Sequence, residues 1–435
     1  MVVDEYLEIT RASKREESLQ AELTRIRESV SFKFGNIFVQ ALERPLTAPL
    51  LPFKIMSFFF SLVFGKEKSV EPPQKITRNC IVGYSSESAQ GIHFERIERV
   101  LAEFRSHGIQ TVHITNDREI RMFEKKKYHA LYSIPPRSEF NDMIPRTWNK
   151  KVEQITSGIL DTFHPRTMIF DGDYPFRGIL NALSLRPEMN RFWIRESLLN
   201  FKISSLPVDG FDTFDAIIHP SLNRRDDPDA IIGRSGTIFC NPIIGSTSSN
   251  SVVEKLRKKT CPQSERLIFV QISRHIQNRD QIFEKILAME NIKILCLSAS
   301  IPKQFLSHQN VIISNHMPTN EAIQISDVCF ISPNFYNLYS CFNSQKPTLC
   351  ITESKGHINS IYREFGTKKL PIILIDDETD LAHISNGIER LLTEELQQQL
   401  IQRMEELVFA DGTAELCNYI TQLHQINQVI TDLDD

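Results

Sequence analysis

RLIFVQIS (Arg266–Ser273) and IKILCLS (Ile292–Ser298) are apolar runs of strand length, and a polar stretch long enough for a helix separates them. The same rhythm continues through residues 310–314, DVCFIS (Asp327–Ser332), PTLCIT (Pro347–Thr352) and PIILID (Pro371–Asp376). Strands joined by helical connections demand crossovers, and crossovers produce a mostly parallel sheet with helices on both faces. Upstream the pattern occurs a first time. NCIVGY (Asn79–Tyr84), QTVHIT (Gln110–Thr115), TMIF (Thr167–Phe170) and DAIIH (Asp215–His219) read as strands. Between the first two, His93–His107 is a predicted amphipathic helix with Ile97, Val100, Leu101 and Phe104 on one face and Gly108 at its C-terminal stop. Residues 380–430 read as closing helices. The expected architecture is α/β, two Rossmann-like domains with a helical N-terminal extension and C-terminal helices. The expected boundaries are 1–74 for the extension, 75–235 and 236–392 for the two α/β domains, and 393–435 for the closing helices.

Composition agrees with a chain of several globular units. The 435 residues are 41% hydrophobic and 24% charged, too apolar for a disordered chain. The formal charge of -4 supplies no basic surface of the kind that nucleic-acid binding rests on, so no nucleic-acid partner is expected. The eight cysteines form no Cys-x-x-Cys pair and several lie in apolar runs; they read as reduced core residues. Glycine is scarce: sixteen residues, roughly half the usual share of about 7%. Any nucleotide must be held with few glycine-rich loops.

The N-terminal region has a different character. Leu19, Leu23, Ile26 and Val30 put one apolar stripe on a charged helix. LTAPLLPFKIMSFFFSLVF (Leu46–Phe64) follows, interrupted by Pro49 and Pro52 and flanked by Arg44, Lys66 and Lys68. Its uncharged run from Ile55 to Phe64 extends about 15 Å as a helix, half the hydrocarbon thickness, so it cannot span a bilayer. Such a segment either lies in the headgroup region or packs on the next domain. Between Arg118 and Lys151 stand nine basic residues against four acidic ones, a surplus suited to an anionic membrane surface or to an ordinary solvated loop. A peripheral position on the cytoplasmic face of a membrane, through residues 46–64, is the expectation.

Two loops carry candidate chemistry. DGDYPFRG (Asp171–Gly178) follows a strand directly, and in open parallel sheets the carboxyl ends of the strands face the ligand. Turn formation and helix capping explain Gly172 and Pro175; they explain two carboxylates and an arginine in one loop less well. The first strand-to-helix junction, GYSSESAQGIH (Gly83–His93), ends on a histidine at a helix start. There the dipole disfavours the imidazolium, leaving a neutral imidazole able to act as a general base, or simply a capping residue.

These stretches, with Trp193-Ile194-Arg195 and ISDVCFISPNFYNLYSCFNSQKPTLCI (Ile325–Ile351), resemble nucleotide-sugar glycosyltransferases of the two-Rossmann GT-B fold. The likeness is to the branch of the peptidoglycan-precursor N-acetylglucosaminyltransferase and its capsule- and surface-polysaccharide relatives. RESVSFKFG (Arg27–Gly35), with Pro45 and Leu51-Pro52, is similar to a leader found before such catalytic domains. The resemblance implies a glycosyltransferase that moves a sugar from a nucleotide diphosphate, a UDP-sugar above all, to a surface glycan or lipid-linked acceptor. It implies His93 and Asp171 as catalytic residues, and Asp173, Tyr174 and Arg177 as acceptor-binding. It implies Asn241, Ser273, Arg274, Tyr336 and Asn337 as donor-binding. The nucleotide sugar is a co-substrate; no separate cofactor and no metal are expected, since Asp171-x-Asp173 lies in the acceptor half. Three features depart from the pattern. The first loop is SSESAQGIH instead of glycine-rich, the donor loop is Gln271-Ile272-Ser273-Arg274-His275, and Cys341 stands where relatives carry the ribose-binding glutamate. A thiol cannot accept two hydroxyl hydrogen bonds as a carboxylate does, which keeps open a non-catalytic glycan- or partner-binding protein, and an epimerase or polyol-phosphate transferase of the same fold.

Overall fold

The computed structural model describes residues 79–433 apart from 89–90, 118–129, 141–142, 197–209, 211, 223–235, 245–247, 263–264, 298–300, 315–316, 354, 366–369, 377–380 and 408–409. The expected membrane-associating extension and five of the nine basic residues between Arg118 and Lys151 lie outside the described residues.

The first sheet contains β1 (Cys80–Ser85), β2 (Gln110–Thr115), β3 (Ala130–Ser133), β4 (Thr167–Asp171), β5 (Asn190–Ile194), β6 (Ala216–Pro220) and β7 (Gly236–Cys240). Its helices are α1 (Ile92–Ser106), α2 (Pro145–Phe163) and α3 (Arg177–Ser184). The second half has α4 (Asn250–Thr260), β8 (Arg266–Gln271), α5 (Arg279–Leu287), β9 (Ile292–Cys296), β10 (Val311–Ile313) and α6 (Thr319–Ile325). It continues with β11 (Val328–Ile331), α7 (Phe335–Asn343), β12 (Thr348–Thr352), α8 (Lys355–Phe365), β13 (Ile373–Asp376) and α9 (Leu381–Leu391). Helices α10 (Glu394–Glu405) and α11 (Gly412–Leu433) close the chain.

All strand pairs are parallel, in the orders β3-β2-β1-β4-β5-β6-β7 and β10-β9-β8-β11-β12-β13. Both orders reverse next to the first strand of the half, between β1 and β4 and between β8 and β11. Those reversals are where an open parallel sheet leaves a crevice at its carboxyl edge. Register sets what meets there: Ser85 pairs with Asp171, Asp171 with Ile194, and Gln271 with Ile331. Residues Asn79–Thr156 and Pro165–Asp435, which hold both sheets, form one compact unit.

Each sheet has its own core, and the predicted apolar face of α1 (Ile97, Val100, Leu101, Phe104) is fully buried in the first. Three strands escape the hydrophobic pattern. β3 is a four-residue edge strand, β5 opens on Asn190 and Arg191, and β7 begins at Gly236, where the second domain is expected to start. The hydrogen bonds of β7 nevertheless go to β6, because a seventh parallel strand completes the first sheet. The expected boundary at 236 coincides with the start of this strand, and the passage to the second half follows Cys240. The closing helices also divide. Leu400 and Met404 of α10 join the second core, whereas Leu416, Cys417 and Ile420 of α11 pack with Val100, Phe104 and Cys240 of the first. All eight cysteines are buried and none forms a disulfide, in line with the reduced-core reading.

The return of α11 depends on one glycine. Gly412 donates to the Pro242 carbonyl at 2.8 Å, and a Cβ at this position would lie 1.8 Å from the Asn241 carbonyl oxygen. Backbone cannot yield as a side-chain tip can, so Gly412→Ala is expected to push the start of α11 off the first half and cost about 1–3 kcal/mol. Urea denaturation measures the loss, and faster proteolysis within 412–433 locates it.

Candidate functional site

The site forms where β1, β4 and β5 end. After β1 the chain turns through Ser86, whose N–H donates to the Asp171 carbonyl at 2.9 Å, and Gly91 takes a left-handed conformation (φ 70°) to start α1. That turn puts His93 in the first helical turn, 8% exposed, with Nδ1 3.0 Å from Ser86 Oγ. Its Nε2 faces two carboxylates, Asp171 Oδ1 at 4.0 Å and Asp173 Oδ1 at 3.8 Å. The loop after β4 comes this close because Gly172 has no side chain: a Cβ there would sit 2.1 Å from Ser86 Oγ. Trp193 of β5 fixes the same loop by donating Nε1–H to the Gly172 carbonyl at 2.8 Å.

Asp171 is fully buried, and both its oxygens are taken by Arg96, whose Nε and Nη2 donate at 2.6 and 2.7 Å. A buried carboxylate held by a bidentate guanidinium is poorly placed to accept a substrate proton. It is well placed to stabilise an imidazolium on His93. Of the two candidate residues, Asp171 is committed to Arg96, and His93 stands beside it. The acceptor candidates occupy the outer end of the loop. The Asp173 side chain is 47% exposed, Tyr174 is 46% exposed with its ring edge-on to Phe176, and Arg177 is exposed as the first residue of α3.

The donor candidates divide among three places. Ser273, just after β8, donates its N–H to Ser332 Oγ at 2.7 Å and accepts at Oγ from the His275 N–H at 3.2 Å, while Arg274 is exposed. Tyr336 and Asn337 lie buried in the first turn of α7. Asn337 donates Nδ2–H to Gln271 Oε1 at 2.5 Å, and its N–H is capped by Asn334 Oδ1 at 3.1 Å. Asn241 stands apart: its backbone N–H and its Nδ2 both donate to Glu415 Oε2 of α11, at 2.9 and 3.0 Å. Cys341 is fully buried in the second core.

Three charged residues of the site have no motif to mark them. Glu95 Oε1 accepts from the Thr319 N–H at 2.5 Å, and its Oε2 from the Tyr336 hydroxyl at 3.1 Å. Glu196 accepts from the Tyr336 N–H at 3.1 Å and lies 3.7 Å from Arg96 Nη1. Arg96 thus serves Asp171 and Glu196 together. The available signal was position: Glu95 and Arg96 follow His93 directly, and Glu196 follows Trp193-Ile194-Arg195.

Burial dominates the electrostatics here. It raises Glu95 from the ordinary 4.5 to about 7, against hydrogen bonds from Thr319 and Tyr336 that pull the other way. It also raises Glu196, opposed chiefly by Arg96. For Arg96, burial alone would lower the guanidinium, but Asp171 and then Glu196 outweigh it and hold the group charged. The Glu95 carboxyl binds its proton more tightly folded than unfolded. Its contribution to stability is therefore complete below pH 4.5, falls as pH rises, and is lost through about pH 7. Glu95→Gln is expected to remove that part of the slope, measured as unfolding free energy against pH from 4 to 8.

No family model and no curated protein sequence matches the chain. Solved structures do. The UDP-GlcNAc 2-epimerase of Neisseria meningitidis, bound to UDP-GlcNAc, superposes with a TM-score of 0.56 over 79% of this chain and 100% of that one, at 12% identity. A UDP-N-acetylglucosamine 2-epimerase assigned in Listeria monocytogenes gives 0.53, over 78% and 94%, at 12% identity. MurG of Acinetobacter baumannii gives 0.49, over 79% and 99%, at 9% identity, too loose a likeness to bear on chemistry. At these identities the likeness concerns architecture, and with the two parallel sheets and their shared reversals it establishes that this chain has the two-Rossmann GT-B fold.

Proposed function

We propose that the protein is a nucleotide-sugar-dependent glycosyltransferase, transferring a hexosyl group from a nucleotide diphosphate to a surface glycan or lipid-linked acceptor. The observation that carries this reading is His93, held by Ser86 at the carboxyl edge of the first sheet beside a carboxylate fixed in place by Arg96. His93 takes the proton of the acceptor hydroxyl as that oxygen attacks the anomeric carbon. Asp171 stabilises the resulting imidazolium, and the bond to the nucleotide diphosphate breaks. Asp173, Tyr174 and Arg177 contact the acceptor. Ser273, Arg274 and the first turn of α7 face the leaving diphosphate, whose charge backbone amides and a guanidinium suit.

Two neighbours are epimerases named for UDP-GlcNAc, one of them bound to it, which makes UDP-sugars the first donors to try. Thermal-shift titration against UDP-, GDP-, CDP- and TDP-sugars tests the reading, since a ligand that binds only the folded state raises Tm with its concentration. A rise with one nucleotide series is expected; no rise with any at millimolar concentration would sink the enzyme. Released UDP, assayed against inversion at C2 without release, then separates transferase from epimerase. A non-catalytic binding protein is the second reading, favoured by Cys341 buried in the core where a ribose-binding glutamate is expected.

We further propose that the acceptor is met at a membrane surface. Among the described residues no helix is long and apolar enough to cross a bilayer. Arg137, Ile144, Arg146 and Lys150 are exposed close together in sequence, a basic and apolar pairing suited to an anionic headgroup layer. Deleting residues 46–64 is expected to move the protein from the membrane to the soluble fraction. An unchanged distribution would assign that segment to packing instead.

A further inference from the structure

We infer that Glu196 is an internal anion that occupies the start of α7 and holds the two halves together until an external phosphate or diphosphate displaces it. The inference rests on the reading of this crevice as a nucleotide-diphosphate site and adds what governs entry to it.

Helix α7 begins at the reversal of the second sheet, and two of its first-turn N–H groups already have side-chain acceptors, that of Asn337 being Asn334 Oδ1 at 3.1 Å. The other is Tyr336 N–H: Glu196, two residues beyond β5 of the other half, accepts it at 3.1 Å, and Asn334 Nδ2 approaches the same carboxylate at 3.5 Å. Glu95, also from the first half, accepts from the Tyr336 hydroxyl and the Thr319 N–H. Two carboxylates of one half thus satisfy donors of the other at the point where a negatively charged ligand would sit. A second observation points to a missing acceptor there. Gln271, fully buried at the end of β8, has its Oε1 engaged by Asn337 in the first turn of α7, while its Nε2 donor has no partner. A buried donor without an acceptor is costly, and an oxyanion entering beside α7 is the kind of group that would satisfy it.

Glu196 can leave because its counter-charge is shared. Arg96 keeps both bonds to Asp171 when Glu196 moves away, and its Nη1, now released, strengthens the field that draws in an anion. The groups that bear on Glu196 are Arg96, His93, Asp171 and Tyr336. A different contact between the halves provides a control. Glu364 of α8 accepts from Ser221 Oγ and the Leu222 N–H, both at 2.7 Å, and from the Tyr339 hydroxyl, without touching the first turn of α7.

Pyrophosphate affinity, measured by isothermal titration calorimetry at constant ionic strength on the full chain, tests the inference. Glu196→Ala and Glu196→Gln are each expected to bind pyrophosphate at least tenfold more tightly than the wild type, with Glu364→Gln unchanged. Circular dichroism confirms that each variant is folded, and the glutamine variant, equal in size to glutamate, serves if the alanine variant is not. Unchanged or weaker binding in the folded Glu196 variants overturns the inference, whether or not nucleotide sugars stabilise the wild type. A gain for pyrophosphate without stabilisation by any nucleotide sugar retains the displaced carboxylate and rejects the glycosyltransferase.

Discussion

Arg96→Met is expected to destabilise the protein by about 3–5 kcal/mol. Methionine keeps the length and much of the apolar stem, so the loss isolates the charge. Asp171 would remain with no exposure and no cation, and Glu196 would lose the guanidinium 3.7 Å away. Removing one member of a buried pair leaves the other's desolvation uncompensated, whereas removing both need cost little. Asp171→Asn in the Arg96→Met background should therefore recover part of the loss. A urea-denaturation double-mutant cycle reads the coupling directly. A loss under 1 kcal/mol for the single variant would mean that water or a neighbour already satisfies Asp171.

His93→Ala is expected to lower kcat by about 10²–10⁴-fold while leaving donor affinity within a few-fold of the wild type. Nδ1 is held by Ser86, and Nε2 faces the two aspartates of the loop after β4, not the first turn of α7. Removing the imidazole therefore removes proton transfer without touching the donor amides. Ser86→Ala should give a smaller fall, because it frees the ring to rotate but leaves the base in place. Steady-state kinetics with saturating donor, alongside donor affinity by calorimetry, separates the roles. An unchanged kcat would dismiss His93 as the base, and a fall in donor affinity equal to the fall in turnover would move it to the donor side.

Local pattern carried most of the fold. Strands of five or six apolar residues, each followed by a helix, can be read one at a time because each must bury both faces. β1, β2, β4 and β8 fall within a residue or two of where the hydrophobic runs put them. β3, β5 and β7 were illegible for the opposite reason. They are short or polar at one end, and their strand character comes from the neighbour that hydrogen-bonds to them.

The candidate site was legible in outline. His93 and Asp171 were singled out by position, one at a helix start and one at a strand end, and the tertiary structure brings Nε2 to 4.0 Å from Asp171 Oδ1. Arg96 could not be read the same way. A charged residue in the first turn of an amphipathic helix is ordinarily solvated, and only the register of β4 beside β1 turns this one into a buried counter-ion. Asn241 shows the converse. The resemblance implies it as donor-binding, and Glu415, 174 positions along the chain, accepts from its backbone N–H and Nδ2.

The scarcity of glycine shows where the division falls. By itself the sequence determined a two-part α/β chain with few phosphate-cradling loops, because strand and helix periodicity and glycine count are local properties. Which charges meet was decided by the tertiary structure alone. The glycines that remain serve close approaches, Gly172 against Ser86 and Gly412 against Asn241, and the start of α7 is met by Glu196 of the opposite half. Such contacts join residues far apart in the chain, and the energy of burying a charge depends on the partner that folding delivers to it.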